Sequence, residues 1–239
     1  MAYRYLSSCF AILVVFVSCT AEKPVEQKKP AAVVIQKHNP PVLSPEQRTE
    51  LQFSAGLIEN IENAAGAKAE PFFSTVVMQS ENLKGETGFE SKKLAGFSVR
   101  TTKADDLIDS FRASLRGEGY LVFKSYKGYG TLPDIVTVVR GNNSYDILKI
   151  QGTEGVHYYL DTKAIITWLK ARQKNGSFII TGAGPDWVEA RFIKSPKDIH
   201  AFAKKVADFA PDVLVRDTRT VEKLAEWMEQ KNGFNLSWD

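Results

Sequence analysis

The chain has 239 residues, of which 44% are hydrophobic and 25% are charged, and its formal net charge is +3. This composition is that of an ordinary globular protein, with enough sequence for one sizeable core or two small ones. So small a charge gives no reason to expect a polyanionic partner, and we expect no nucleic-acid binding. The two cysteines, Cys9 and Cys19, both lie near the N-terminus, so the remaining sequence has no disulfide to support its fold.

The first eighteen residues have the pattern of an export signal. Arg4 precedes an apolar stretch at residues 10–17, and Ser18 and Cys19 follow it. A charged start, an apolar core of about 7–15 residues and a small residue at the cleavage site are typical of a secretory signal peptide. A membrane-spanning helix needs about 20 apolar residues, so this stretch is too short to be one.

The residues around Cys19 resemble the lipobox of bacterial lipoproteins, since the sequence there reads Phe16-Val17-Ser18-Cys19. The resemblance implies that residues 1–18 are removed as a lipoprotein signal peptide. It also implies that the Cys19 thiol carries a diacylglycerol and that the new N-terminus is acylated, for example with palmitate. Thr20, in the place where an aspartate would retain a lipoprotein in the inner membrane, implies sorting to the outer membrane. We therefore expect a cell-envelope protein that faces the periplasm and contacts membrane lipid through acylated Cys19.

Residues 19–45 are predicted to form a disordered tether. Five prolines and many charges leave this segment without enough apolar side chains for a core. Its contour length is on the order of 80 Å at roughly 3.1–3.6 Å per residue. Residues 33–35, Val-Val-Ile, offer an alternative as a short edge strand.

The segment 46–94 is predicted to be an N-terminal extension of helix and strand. Leu51, Leu57, Ile58 and Ile61 recur at helical spacing, and Ser44 precedes a proline, which predicts one helix over residues 45–65. Residues 72–78 are rich in aromatic and β-branched side chains and predict a strand. Residues 81–93 are charged and contain glycine, and they predict a loop.

Residues 95–239 are predicted to form an α+β domain with a possible internal duplication. Each unit has a strand, an amphipathic helix and a hairpin in this order. The first unit would use residues 97–101, 104–117, 120–126 and the strand after Asp134. The second would use residues 145–150, 162–175, 177–181 and the strand after Asp186. Two helices, 196–210 and 221–232, and an alternating strand at 234–238 complete the pattern.

This order of elements predicts a mixed or antiparallel sheet with helices on one face, built from duplicated split β-α-β units of ferredoxin-like type. Chance similarity between two short units is the alternative.

Four short motifs in the C-terminal part resemble one bacterial family, the domain of unknown function 4253. They are Gly182-Ala183-Gly184-Pro185-Asp186-Trp187, Phe209-Ala210-Pro211-Asp212-Val213, Thr220-Val221-Glu222-Lys223-Leu224-Ala225 and Leu236-Ser237-Trp238-Asp239. The resemblance covers residues 134–239, and its motif residues are Asp186, Trp187, Pro211, Asp212, Trp238 and Asp239.

The chain departs from the family pattern at three places. Members commonly have cysteine where Ala210 stands, Gln-Gly near Asp217 and Thr218, and tryptophan where Ser237 stands. Any chemistry of a thiol at that position is therefore not open to this chain. The family has no established activity, so the resemblance implies a fold and leaves the function open.

The residues suggest one low-ranking catalytic constellation. His157 lies in a glycine-containing loop, and Asp134 and Asp186 occupy matching places in the two predicted units, so these three could form a hydrolytic or ligand-binding cleft with His157 as base. The simpler interpretation is that both aspartates close hairpins beside proline and that His157 is an ordinary loop residue. We find no Gly-x-Ser-x-Gly motif and no set of residues with metal-ligand spacing, and we expect no metal and no cofactor.

Seven basic residues lie close together in the sequence, and we expect them to solvate a helix face or to meet anionic headgroups. They are Lys92, Lys93, Lys103, Arg112, Arg116, Lys124 and Lys127.

The function expected from the sequence is therefore non-catalytic. We expect a lipid-anchored protein-binding module, and one such type is an immunity protein that neutralises a secreted toxin. The alternative from another class is an envelope hydrolase or small-ligand-binding protein that uses His157, Asp134 and Asp186.

Overall fold

The computed structural model describes residues 41–78, 89–174, 176–214 and 218–238. Several predicted features lie outside the described residues. They are the signal peptide, Cys19, most of the tether with its alternative strand at 33–35, residues 81–88 of the predicted loop, and Asp239. No helix in the described ranges is long and apolar enough to cross a bilayer.

The described helices and strands follow one another along the chain singly or in consecutive pairs. The helices are α1 (Pro45–Leu51), α2 (Ala55–Ala65), α3 (Ala104–Gly117), α4 (Asp146–Gln151), α5 (Thr162–Arg172), α6 (Ile199–Phe209) and α7 (Val221–Lys231). The strands are β1 (Glu70–Met78), β2 (Phe89–Thr101), β3 (Tyr120–Tyr126), β4 (Asp134–Arg140), β5 (Ser177–Ala183), β6 (Trp187–Lys194) and β7 (Gly233–Ser237). Two 3-10 turns occupy Val156–Tyr158 and Pro211–Leu214.

The strands form one mixed sheet in the order β1-β2-β4-β3-β5-β6-β7. Neighbouring strands are antiparallel, except that β3 and β5 run parallel where Lys124 pairs with Gly182. This seam joins two antiparallel halves. The predicted α+β class with a mixed sheet is confirmed.

The helices cover both faces of the sheet, and the prediction of helices on one face is corrected. Tyr120 and Val122 of β3 belong to the core that contains α1, α2 and α3, whereas Leu121 and Phe123 belong to the core that contains α4 to α7. Successive residues of a strand point to opposite faces. A run that is apolar at every position is therefore the pattern of a strand buried on both sides.

The predicted strand at 145–150 is wrong, because these residues form helix α4. The Asn143 side chain accepts a hydrogen bond from the Tyr145 N–H (3.1 Å), a local turn that starts the helix. Gly152 ends the helix with a φ of 59°, a left-handed conformation that glycine adopts without strain. A short apolar run such as Ile147-Leu148 does not distinguish strand from helix by its periodicity.

The predicted duplication holds only in its helix-hairpin part. Helix α3 leads into the β3–β4 hairpin, and α5 leads into the β5–β6 hairpin. In the first unit the strand that pairs with the hairpin is β2, which precedes helix α3. In the second unit the strand that pairs with the hairpin is β7, which follows helix α7. The two units are therefore not both split β-α-β motifs.

The N-terminal segment also departs from prediction in its details. The helix predicted over 45–65 is broken at Gln52, which has a φ of 53°, and Ser54 caps the second helix by accepting from the Leu57 N–H. Phe53, between the helices, packs edge-on against Phe97 and Tyr120. Strand β2 begins at Phe89, inside the predicted loop, and the predicted boundary at residue 94 falls within this strand.

Candidate functional site

The carboxyl ends of β3 and β5 lie at the same edge of the sheet because the two strands run parallel. From there the chain turns to β4 on one side and to β6 on the other. In open sheets with parallel strands, ligands bind outside the carboxyl ends where neighbouring connections diverge. We call this edge the loop end and define it by residues 127–133, 152–161, 184–186, 211–214 and 218.

Hydrogen bonds hold the separate loops of this edge together. The Thr153 hydroxyl donates to the carbonyl of Gly184 (2.8 Å), and the Glu154 N–H donates to the carbonyl of Pro185 (2.7 Å). The Tyr158 hydroxyl donates to Asp212 Oδ1 (2.8 Å), which connects the 152–161 loop to the 3-10 turn at Pro211–Leu214. This hydrogen bond raises the pKa of Tyr158. The loop end is therefore braced across three parts of the sequence.

The three residues of the predicted constellation lie in different local settings. Asp134 closes the β3–β4 loop, since its Oδ1 accepts from the Gly128 N–H (2.8 Å). Asp186 lies in the β5–β6 hairpin, where its main-chain carbonyl accepts from the Trp238 N–H (3.0 Å). His157 is exposed on the first 3-10 turn. No hydrogen bond or ion pair given for the described residues joins His157 to either aspartate, so its role as a base stays a prediction.

Lys124 is buried and surrounded by carboxylates, contrary to the expectation that it solvates a helix face. It is 6% exposed, and its Nζ lies 2.8 Å from Asp105, 3.4 Å from Glu189 and 3.6 Å from Asp134. Burial works against the charged form, but the three carboxylates outweigh it and raise the pKa of Lys124. These ion pairs connect α3, β3, β4 and β6 and have a structural role at the seam.

Lys127 lies three residues further on and has the opposite shift. Its Nζ lies 3.3 Å from Glu189 Oε2 and 4.2 Å from the centre of the Trp187 ring. Burial lowers the pKa of Lys127, the nearby charge of Lys124 lowers it further, and the carboxylates of Glu189 and Asp134 do not compensate. The loop end thus contains an amine that is held against an indole face and is easier to deprotonate than an ordinary lysine.

Lys127 lines a cavity of about 130 Å³ whose wall includes residues of β7. Two side-chain oxygens that belong to lining residues, Asp212 Oδ2 and Asn235 Oδ1, are buried and have no hydrogen-bond partner among the described residues. Buried polar atoms are normally paired, so each exception indicates a strained group or a missing partner. The lining includes Lys127, Tyr129, Trp187, Asp212, Trp227 and Asn235.

The sequence motifs do not indicate Lys127, Trp227 and Asn235 as site residues. In the sequence Lys127 belongs to a basic run, and its burial depends on Trp187 and Glu189, which are about sixty residues away. Trp227 offers an indication in the sequence, because it is a large aromatic residue on α7 that lies outside the buried stripe of Leu224, Ala225 and Met228. Asn235 offers a weaker indication, because it is a polar residue in a strand of alternating polar and apolar side chains.

The described residues contain no group of three or more His, Cys, Asp or Glu side chains placed to hold a metal ion. The cavity and its lining make the loop end a concave, aromatic-lined polar site on an α+β scaffold. Its chemistry, over the ranges that the structure describes, comes from Lys127, Asp212 and the hydrogen-bonding groups around them.

Residues 135–239 carry a domain of unknown function, DUF4253, as the sequence motifs predicted. No curated protein and no solved structure matches the chain.

The residues that carry this family resemblance gather around the cavity. Trp187 and Asp212 line it, and Pro211 begins the turn that holds Asp212. Asp186 and Trp238 are joined by a main-chain hydrogen bond beside it. The family signal therefore coincides with the loop end.

Proposed function

We propose that this protein is a non-catalytic binding module, anchored in the cell envelope through a lipid on Cys19, that recognises a protein partner with the loop end of its sheet. The observation that carries the proposal is a set of large apolar side chains exposed in two loops of this edge. Tyr129 and Leu132 are 67% and 59% exposed, and Val156 and Tyr159 are 69% and 97% exposed. Exposed apolar side chains that gather on neighbouring loops are typical of interaction surfaces, and tyrosine is enriched where binding energy is concentrated.

The loops that present these side chains are held before any partner arrives. Gly155 and Leu160 pair across the base of the 152–161 loop, and Thr153 and Tyr158 tie it to its neighbours through the hydrogen bonds described above. A surface that is already ordered loses less conformational entropy on association, which favours affinity. The braced loop end is thus suited to recognition without a large change of shape.

Cross-linking and pull-down from native envelopes would test the proposal. The full-length protein is compared with the double variant Leu132→Ser/Tyr159→Ser and with Ile193→Ser as the matched control, since Ile193 is 68% exposed near the far end of β6. We expect the same partner with the wild type and the control, and capture reduced at least about tenfold with the double variant. Capture that is equal for all three proteins would contradict the proposal.

The anchor is tested in the same preparation with Cys19→Ala. We expect the wild type in the membrane fraction with an acylated N-terminus by mass spectrometry, and the variant in the soluble fraction. An unacylated native N-terminus would remove the anchor from the proposal and leave the binding surface to be judged by capture alone.

A further inference from the structure

We propose that the cavity at the loop end is a specificity pocket for a guanidinium group, the end of an arginine side chain that the protein partner presents. This inference rests on the proposed function, since it names the chemistry by which the same edge of the sheet would recognise its partner. Three properties of the cavity carry it: its unpaired acceptors, its aromatic walls and its size.

The first property is the pair of oxygens that lack a donor. Asp212 Oδ2 and Asn235 Oδ1 are buried without a hydrogen-bond partner among the described residues, and both residues line the cavity. Tyr158 donates to the other oxygen of Asp212, which fixes the carboxylate in place. A buried carboxylate oxygen without a donor is costly. The group that completes the site should therefore donate hydrogen bonds and carry positive charge.

The second property is the aromatic lining. Trp187, Trp227 and Tyr129 form part of the cavity wall. The Trp187 ring already holds one cation, because Lys127 Nζ lies 4.2 Å from its centre. A guanidinium group stacks on aromatic faces and donates in a planar fork, whereas an ammonium group is a compact, strongly hydrated charge. A planar fork also suits two acceptors that come from different elements, the Pro211–Leu214 turn and β7.

The third property is size. The cavity measures about 130 Å³, and cavities on the order of 150 Å³ hold a single benzene ring. A guanidinium group is planar and smaller than such a ring, so its alkyl stem would extend past the rim toward the exposed loops.

An anionic ligand fits the cavity less well. Lys127 is the only cationic side chain that the structure describes in the lining. Its ammonium group is already engaged by Glu189 at 3.3 Å, and burial lowers its pKa.

The test uses full-length protein and three matched probes: butylguanidinium, butylammonium and the neutral butylurea. Binding is followed by calorimetry and by tryptophan fluorescence, since Trp187 and Trp227 line the cavity. We expect butylguanidinium to bind and quench, with weaker binding of butylammonium and none of butylurea. No saturation by butylguanidinium below about 10 mM, or equal binding of butylurea, would overturn the inference.

Asp212→Asn keeps the size of the side chain and removes its charge. We expect it to weaken butylguanidinium binding about tenfold or more. Asp208→Asn is the matched control, because Asp208 is an exposed carboxylate on α6 that pairs with Lys204, and it should bind as the wild type does. Equal affinities in the two variants would also overturn the inference.

Two further results separate this inference from the proposed function. Leu132→Ser/Tyr159→Ser should lose the partner and keep butylguanidinium binding, whereas Asp212→Asn should lose both. If Asp212→Asn loses the small probe but still captures the partner, the arginine of the partner is ruled out as the occupant and the binding surface stands. If Asp212→Asn instead loses both the probe and the partner, the arginine of the partner that contacts the cavity is replaced with lysine. This replacement should weaken capture.

Discussion

The two ends of β5 and β6 both carry a concavity, but the two differ in what their polar groups contact. The far end has a cleft of about 590 Å³ lined by Lys174, Lys194, Lys197 and Lys205, and all four lysines are exposed. Asp198, the one carboxylate among the described residues that line this cleft, caps α6 by accepting from the Ala201 N–H. The loop end has a cavity less than a quarter as large, with two buried oxygens that the described residues leave unpaired.

This comparison shows that volume is a poor guide to a binding site. Exposed lysines are hydrated, and an anion that reaches them must compete with water and salt. A buried acceptor has already lost its water, so a donor that fits restores a hydrogen bond at little further desolvation cost. The smaller cavity is the better candidate for that reason.

The largest effect is expected from Lys124, which lies in β3 at the seam, next to the loop end. Lys124→Met leaves Asp105, Glu189 and Asp134 close together without their common cation, and we expect a loss of about 3 kcal/mol in the free energy of unfolding. Urea denaturation at neutral pH measures it. Lys204→Met is the control, because the Lys204–Asp208 pair is exposed and should contribute less than about 1 kcal/mol. Equal losses in the two variants would show that the buried ion pairs do not stabilise the seam.

A smaller effect is expected from matched glycines at the two ends. A Cβ atom on Gly184 would overlap the indole of Trp187, and such overpacking costs about 1–3 kcal/mol. A Cβ atom on Gly176, at the far end, would lie 3.0 Å from the Lys194 carbonyl oxygen. There the smaller entropy of the unfolded chain, worth roughly 0.4–1 kcal/mol, offsets much of the strain. Thermal unfolding of Gly184→Ala and Gly176→Ala compares them, and a Gly176→Ala loss as large as that of Gly184→Ala would contradict this account.

The smallest effect is expected in the pH dependence of stability. Because burial lowers the pKa of Lys127, the native state binds fewer protons than the unfolded state between that lowered pKa and the ordinary value of about 10.4. The contribution of Lys127 to stability therefore rises with pH in this window.

Lys127→Met should remove this rise, so the stability of the wild type relative to the variant should increase toward alkaline pH. Lys124 has a raised pKa, and its contribution should be present below about pH 10.4 and fall as the pH rises through its raised pKa. Denaturation series across the alkaline range check both slopes. If the contribution of Lys127 to stability fell with pH instead, attraction to Glu189 would outweigh the effect of burial on its pKa.

The fold was predictable where periodicity was long. Helix α3 carries Leu107, Ile108 and Leu115 on one buried stripe, and this pattern alone predicted residues 104–117. Helix α4 has six residues, too few for a period to be recognised. Whether both faces of β3 are covered depends on helices that lie before and after it in the chain, and no local pattern contains that information.

Only the site residues that belong to the family motifs could be predicted from the sequence. Trp187 and Asp212 were singled out by their resemblance to family motifs, and both line the cavity. His157 was chosen for its chemistry, and it lies exposed on a turn. Lys127 looked like one member of a solvated basic run because its indole and carboxylate neighbours come from the next hairpin. Residue type suggests chemistry, but burial and pairing arise from contacts that are distant in sequence.

The order of strands also determines where a self-sufficient fragment can begin. The stretch that matches DUF4253 starts at Ile135, one residue into β4, yet β4 and β5 are not neighbours, because β3 lies between them. A polypeptide cut at the family boundary would carry a sheet with its middle strand removed. Any excised version of this domain must therefore start upstream of Tyr120, so the unit defined by sequence matching is smaller than the unit that can fold.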